Sequence, residues 1–132
     1  MSTEPEGEHG ATRIVAVVRD LFFAARIGAT LRPLGYRVDV VHTAPALRAA
    51  TREEAPALVI VDLAHKAIDP PGLIAALKGE PATGALPVLA FGSHLDHAAR
   101  DAAKAAGADR VVANSKLTED LPALVERYAR VG

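Results

Sequence analysis

From Arg13 onward, short β-branched runs alternate with longer stretches whose apolar residues recur three or four apart, the pattern of a parallel sheet covered by helices. Five such repeats follow one another. The first run, Arg13 to Val18, leads into a helical stripe of Phe23, Ile27, Leu31 and Leu34, which Asp20 is placed to cap and Pro33 and Gly35 to end. Val38, Val40 and Val41 make a second strand that runs into His42 and Thr43, and a short alanine-rich helix follows around Leu47. Pro56 opens the third strand, Ala57 to Asp62. Its Leu58-Val59-Ile60-Val61 core is apolar at consecutive positions, as in a central strand buried on both faces. Asp69 before Pro70 reads as an N-cap with proline in the first turn, and Leu73, Ile74 and Leu77 give that helix its buried side. Pro87 to Phe91 is the fourth strand. Gly92-Ser93-His94 then turns into a helix from about Asp96 to Ala106, closed by Gly107 as a left-handed cap. Arg110 to Ala113 is the fifth strand and Asn114-Ser115-Lys116 a loop. Thr118, Glu119 and Asp120 start a last helix carrying Leu121, Leu124, Val125 and Tyr128.

Before these repeats, Glu4, Pro5, Glu6, Gly7, Glu8 and Gly10 leave almost nothing apolar to offset the entropy of ordering. Residues 1–11 therefore read as a disordered acidic tail and 12–132 as one domain. The length of 132 residues fits a single core, and with aromatics at 4% that core must be filled by Val, Leu, Ile and Ala. Fifteen Lys and Arg against 16 Asp and Glu lack the basic excess that phosphate-backbone binding needs, which argues against nucleic acid as a partner. No run is long enough to span a bilayer and the first residues have no apolar signal core, so the expected location is the cytoplasm. Without cysteine, any chemistry falls to His, carboxylates and hydroxyls.

In an open parallel sheet, ligands bind beyond the carboxyl ends of the strands. That rim holds Arg19 and Asp20, Asp62, Ser93 and His94, and Asn114, Ser115 and Lys116. Asp62 is the sharpest of them, because a carboxylate ending an all-apolar strand emerges partly desolvated and needs a partner. A capping or loop aspartate is the plainer reading of the same position.

From Arg13 to Tyr128 the chain resembles the receiver domain of bacterial two-component response regulators. Leu58-Val59-Ile60-Val61-Asp62 is similar to the strand carrying that family's phosphoacceptor aspartate, and Asp69 fits the acidic residue that often follows it. Leu86-Pro87-Val88-Leu89 is similar to the fourth strand, and Ala105-Ala106-Gly107-Ala108-Asp109 to the turn before the fifth. The resemblance implies a three-layer α/β sandwich, flavodoxin-like, with a five-stranded parallel sheet of order 2-1-3-4-5 and helices on both faces.

The resemblance also implies a phosphorylation set, and this chain departs from it. The two acids that hold magnesium fall on Val18 and Arg19, with Asp20 next along. The hydroxyl falls on Gly92, with Ser93 one place later. The lysine falls on Asn114, with Lys116 two places later, the proline after it on Ser115, and the aromatic switch residue on Val111. Phosphoryl transfer to a carboxylate needs a divalent cation to offset accumulating negative charge, and magnesium wants several hard oxygens. Asp62, Asp20 and a backbone carbonyl are the most that can be offered, while Arg19 could pair with Asp62 in place of metal or point into solvent. A second reading has local bulges bring Asp20, Ser93 and Lys116 to Asp62.

The expectation is a pseudo-receiver. It would be a stand-alone signalling module of a two-component phosphorelay, not an enzyme, with no cofactor expected and Mg2+ at most weakly held. Its partners would be a sensor histidine kinase or downstream signalling protein, or a second copy through the last two helices. The alternative is a small flavodoxin-like enzyme or ligand-binding protein using the same rim, which a deep apolar pocket would favour. His94 and His97 have the spacing of a zinc pair but no nearby third ligand, so a solvated loop capped by Asp96 competes with it. His42 and His65 stand in strand-end loops, either solvated or approaching Asp62. Of the adjacent Phe22 and Phe23, Phe23 is expected in the core, and Phe22 half covered by loops or part of an exposed docking patch.

Overall fold

A computed structural model describes residues 12–130, and the acidic tail expected over residues 1–11 lies outside them. Five strands, β1 (Arg13–Val17), β2 (Arg37–Val41), β3 (Leu58–Asp62), β4 (Val88–Gly92) and β5 (Arg110–Ala113), form one parallel sheet of order β2-β1-β3-β4-β5. Helices α1 (Leu21–Leu31), α2 (Ala44–Glu53), α3 (Pro70–Gly79), α4 (His97–Ala106) and α5 (Asn114–Tyr128) connect and follow them. This is the order and layering that the sequence implied.

Alternation along the strands divides the core between the two faces of the sheet. Ile14, Ala16, Leu58, Ile60, Leu89 and Phe91 point to one side, where Ile27 and Leu31 of α1 and Leu117, Leu121 and Val125 of α5 cover them. Val15, Val17, Val59, Val61, Val88 and Ala90 point to the other, against Leu47 of α2, Leu73, Ile74 and Leu77 of α3 and Ala103 of α4. The inner strands β1, β3 and β4 are buried at every position, whereas the edge strand β2 alternates. That difference explains why β3 reads as an uninterrupted apolar run.

The helix ends follow from local chemistry. Asp20, Thr43, Asp69 and Asp96 each accept a backbone N–H from the first turn of the following helix. Asp69 does so in the left-handed region at φ 50, held between the turn at Lys66–Ile68 and Pro70. Gly107 closes α4 at φ 113, where a side chain would be strained.

The main departure is at the last connection. Asn114, Ser115 and Lys116 are not a loop, because α5 begins directly at Asn114 after β5. The start signal read at Thr118 to Asp120 marks a kink instead. Asp120 leaves helical geometry at φ −119 and ψ 20, and Pro122 restarts the helix without needing an N–H partner.

Candidate functional site at the strand ends

Asp62 ends β3 and is 3% exposed. Both carboxylate oxygens accept backbone N–H groups. The Arg19 N–H donates to Oδ2 at 3.1 Å, and the Ala64 N–H donates to Oδ1 at 2.9 Å. The second bond is an Asx turn, the local closure that an aspartate makes with the amide two residues on. The first bond ties the end of β3 to the end of β1. Each oxygen keeps lone-pair capacity toward a cleft of about 460 Å³ lined by Arg19, Asp20, Phe23, Asp62, Ala64 and Asn114. Phe23 forms the apolar wall, packed on Phe91 with ring centroids 5.3 Å apart.

The other rim residues divide into those that share this cleft and those that do not. Asp20 lines it, with Oδ1 occupied by the Phe22 N–H at 2.7 Å as the cap of α1. Arg19 also lines it, but its main-chain N–H, not its guanidinium, holds Asp62, and no ion pair joins the two side chains. Asn114 reaches the cleft from the first turn of α5.

Ser93 faces a separate, smaller cavity with Lys66, Asp96 and Arg100, and its hydroxyl accepts the Leu95 N–H at 3.1 Å. Lys116 is ion-paired along α5 to Asp120 at 2.6 Å. Ser115 is exposed one position before it. The arrangement in which bulges gather Asp20, Ser93 and Lys116 around Asp62 is therefore not adopted, since Ser93 is spent on its own turn and Lys116 on its own helix.

The carboxylates lining the cleft are two, Asp20 and Asp62, and both accept protein N–H groups already. Val18, at the first of the expected acid positions, is fully buried in the core shared with α1 and α5. Arg19 brings a cation to the second. Among the described residues no group of three or more His, Asp or Glu is placed to hold a metal ion. Magnesium keeps several of its own waters and is held through one or two carboxylates, so what sets this cleft apart is that both acids already accept protein N–H groups and that the Arg19 cation shares the cleft with them. Gly92, at the expected hydroxyl position, is buried beside Leu63, whose Cβ lies 3.1 Å from where a Cβ at 92 would stand.

His94 and His97 are both exposed at the start of α4, without a third ligand. Asp96 between them is held below the usual carboxylate range, first by the Ala99 N–H and then by the charge of Lys66. Phe22 is not half covered. It is 66% exposed, edge-on to Phe23 with the Arg26 guanidinium 5.9 Å from its ring centroid, and Leu21 beside it is exposed too.

His42 and His65 are better placed than a solvated loop requires. His42 Nδ1 donates to the Val18 carbonyl at 2.9 Å, and His65 Nε2 donates to the His42 carbonyl at 2.6 Å. His65 is 8% exposed, and its Nδ1 is buried without a partner. Neither ring hydrogen-bonds to the Asp62 side chain. The residues that sequence reasoning passed over are those contributing backbone alone: Ala64, signalled only by the Asx-turn habit of aspartate, and the Val18–Arg19 peptide group, which had no signal.

No protein-family model matches the chain, and no curated protein matches it either. Solved structures do. A protein described as a response regulator from Chloroflexus aurantiacus superposes with a TM-score of 0.82 at 24% identity, over 89% of this chain and 97% of that one. The chemotaxis response regulator CheY4 of Vibrio cholerae gives 0.79 at 17% identity, over 89% and 98%. The signal receiver domain of a histidine kinase from Syntrophus aciditrophicus gives 0.80 at 22%, over 89% of each chain. The chain has the fold of a response-regulator receiver domain.

Proposed function

We propose that this chain is a receiver-like signalling module of a two-component pathway that works through protein contacts and has lost metal-assisted phosphoryl transfer at Asp62. The observation that carries this reading is the pocket itself. Asp62 stands at the end of the central strand of a receiver fold, yet a buried valine and an exposed arginine replace the acids that should flank it. An acyl phosphate forming there would add negative charge beside Asp20 with only Arg19 to offset it. The module turns over no substrate. Its partners are a sensor histidine kinase, a downstream signalling protein, or a second copy through α4 and α5. The rival reading, a small enzyme or ligand-binding protein on the same rim, wanted a deep apolar pocket, and the cleft sets Arg19, Asp20, Asp62 and Asn114 beside Phe23 and Ala64, about as polar as apolar. No described helix is long and apolar enough to cross a membrane.

The test is incubation with acetyl phosphate and magnesium, read by intact mass. The expected result is unchanged mass, and beryllofluoride with magnesium should leave the amide spectrum around Asp62 unmoved. Added phosphoryl mass that disappears in Asp62→Asn would overturn the reading.

A further inference from the structure

One peptide group links His42, the residue after β2, to the candidate phosphoacceptor. The carbonyl of Val18 and the N–H of Arg19 belong to the same amide plane. The carbonyl accepts from His42 Nδ1 at 2.9 Å, and the N–H donates to Asp62 Oδ2 at 3.1 Å. Pairing of β1 with β2 stops at this point. The Val18 N–H still reaches the Val41 carbonyl at 3.2 Å, but β2 ends at Val41 and the ring of the next residue supplies the donor for the Val18 carbonyl. A carbonyl only accepts, so Nδ1 of His42 carries the proton. His42 is itself fixed, because its own carbonyl takes the His65 Nε2 proton, and the His65 N–H donates to the Asp62 carbonyl at 3.1 Å.

The consequence is directional. An amide plane turned over at Val18–Arg19 would aim a carbonyl at the Asp62 carboxylate in place of an N–H, so the side that faces Asp62 is decided by what holds the other side. A hydrogen bond to the carbonyl also polarises the amide and strengthens its N–H as a donor. We propose that His42 is a positioning residue for Asp62, acting through the Val18–Arg19 peptide. The proposal rests on the reading above only in taking Asp62 as the residue around which the site is organised. The hydrogen-bond chain can be measured whether or not Asp62 accepts a phosphoryl group.

The experiment compares wild type with His42→Phe, which keeps a ring and removes the donor, and His42→Asn, whose amide nitrogen stands near the Nδ1 position. His42 is exposed, so neither substitution enters the core, and far-UV circular dichroism of each variant checks that the fold is kept. Amide hydrogen exchange and proton shifts are read by NMR for Arg19 and, as an internal reference, for Ala64, which holds the other oxygen of Asp62 without passing through His42. In His42→Phe the Arg19 amide should exchange about tenfold faster, the loss of one ordinary hydrogen bond, with its proton resonance moving upfield and Ala64 changing far less. His42→Asn should restore both Arg19 readings. An Arg19 amide unchanged in His42→Phe would overturn the proposal, and so would the same loss in His42→Asn. An acetyl phosphate experiment that labels Asp62 would remove the loss of phosphoryl chemistry and leave this result standing.

Discussion

Replacing Asp62 by asparagine separates a carboxylate that holds the fold from one held against its neighbours' charge. Two backbone N–H groups point at the two oxygens of a side chain that is 3% exposed. Asparagine offers one oxygen and one NH2 group, so in either orientation the Arg19 or the Ala64 N–H meets a donor. Losing a hydrogen bond to a charged acceptor and leaving its N–H unpaired costs about 1.5–3 kcal/mol. Part of that is returned, because a buried charge is no longer desolvated beside Asp20. The expected net destabilisation is about 1–2 kcal/mol. For a domain of this size that is a fall in Tm of roughly 4–8 °C. The assay is thermal and urea unfolding by far-UV circular dichroism near neutral pH. Asp20→Asn serves as the control, since asparagine caps α1 as well as aspartate and should stay within about 0.5 kcal/mol of wild type. In a cluster of acids, removing one carboxylate relieves repulsion and stabilises. A rise in Tm for Asp62→Asn would therefore refute the account of this pocket as one held by N–H donors.

Three further outcomes follow from other parts of the structure. Val18→Asp, which restores the first expected acid, buries a charge among Ile27, Leu31 and their neighbours and should lower stability by roughly 3–5 kcal/mol in urea titrations, while Arg19→Asp, exposed but beside Asp20 and Asp62, should cost only about 0.5–1 kcal/mol through like-charge repulsion. Gly107→Ala forces a Cβ into φ 113, 3.1 Å from Lys78 Cγ, and should cost about 1–2 kcal/mol by the same measurement, mostly from the backbone because the lysine can move aside. The lowered pKa of Asp96 means that its cap contributes fully above the ordinary aspartate range and is lost as pH falls through the lowered folded value. An NMR titration of that carboxyl should move back up toward the ordinary range when Lys66→Gln removes the nearby cation, though not all the way, because the Ala99 N–H remains.

The parts of the fold that sequence carried were those decided by burial period and by short-range chemistry. Four consecutive apolar residues before Asp62 leave no polar face, so β3 had to lie inside the sheet. Asp69 before Pro70, Asp96 and Gly107 each act within a turn of themselves and sit where local rules place them. The start of α5 was misplaced for an instructive reason. Asp120 and Pro122 are genuine helix-start signals, but they restart a helix that had already begun at Asn114, and pairing of Lys116 with Asp120 spans the break. The cleft was legible only in part. Asp62, Asp20, Arg19 and Asn114 share it as strand-end residues of a parallel sheet should. Ser93 does not, because its hydroxyl meets a nearer backbone donor in Leu95. The His42 link to Val18 crosses 24 residues and ends on a backbone atom, so neither spacing nor residue type announces it.

The same hydrogen bonds bear on how far the aspartate itself can be read as evidence of phosphorylation. Asp62 closes its own turn through Ala64 and ties the end of β3 to the end of β1 through Arg19. Those tasks need an acceptor on each of two oxygens, which a carboxylate supplies and which neither asparagine nor serine can. They need no metal, no hydroxyl at Gly92 and no lysine at Asn114. An aspartate at this position is therefore sufficient to organise the strand ends even where the rest of the phosphorylation set is missing. The inference to chemistry must come from what surrounds it. Here the surroundings are a buried valine, an exposed arginine, a helix-capping aspartate and an asparagine in the first turn of α5. They leave a cleft at the strand ends with the Asp62 carboxylate at its floor and Asp20, Arg19 and Asn114 around it.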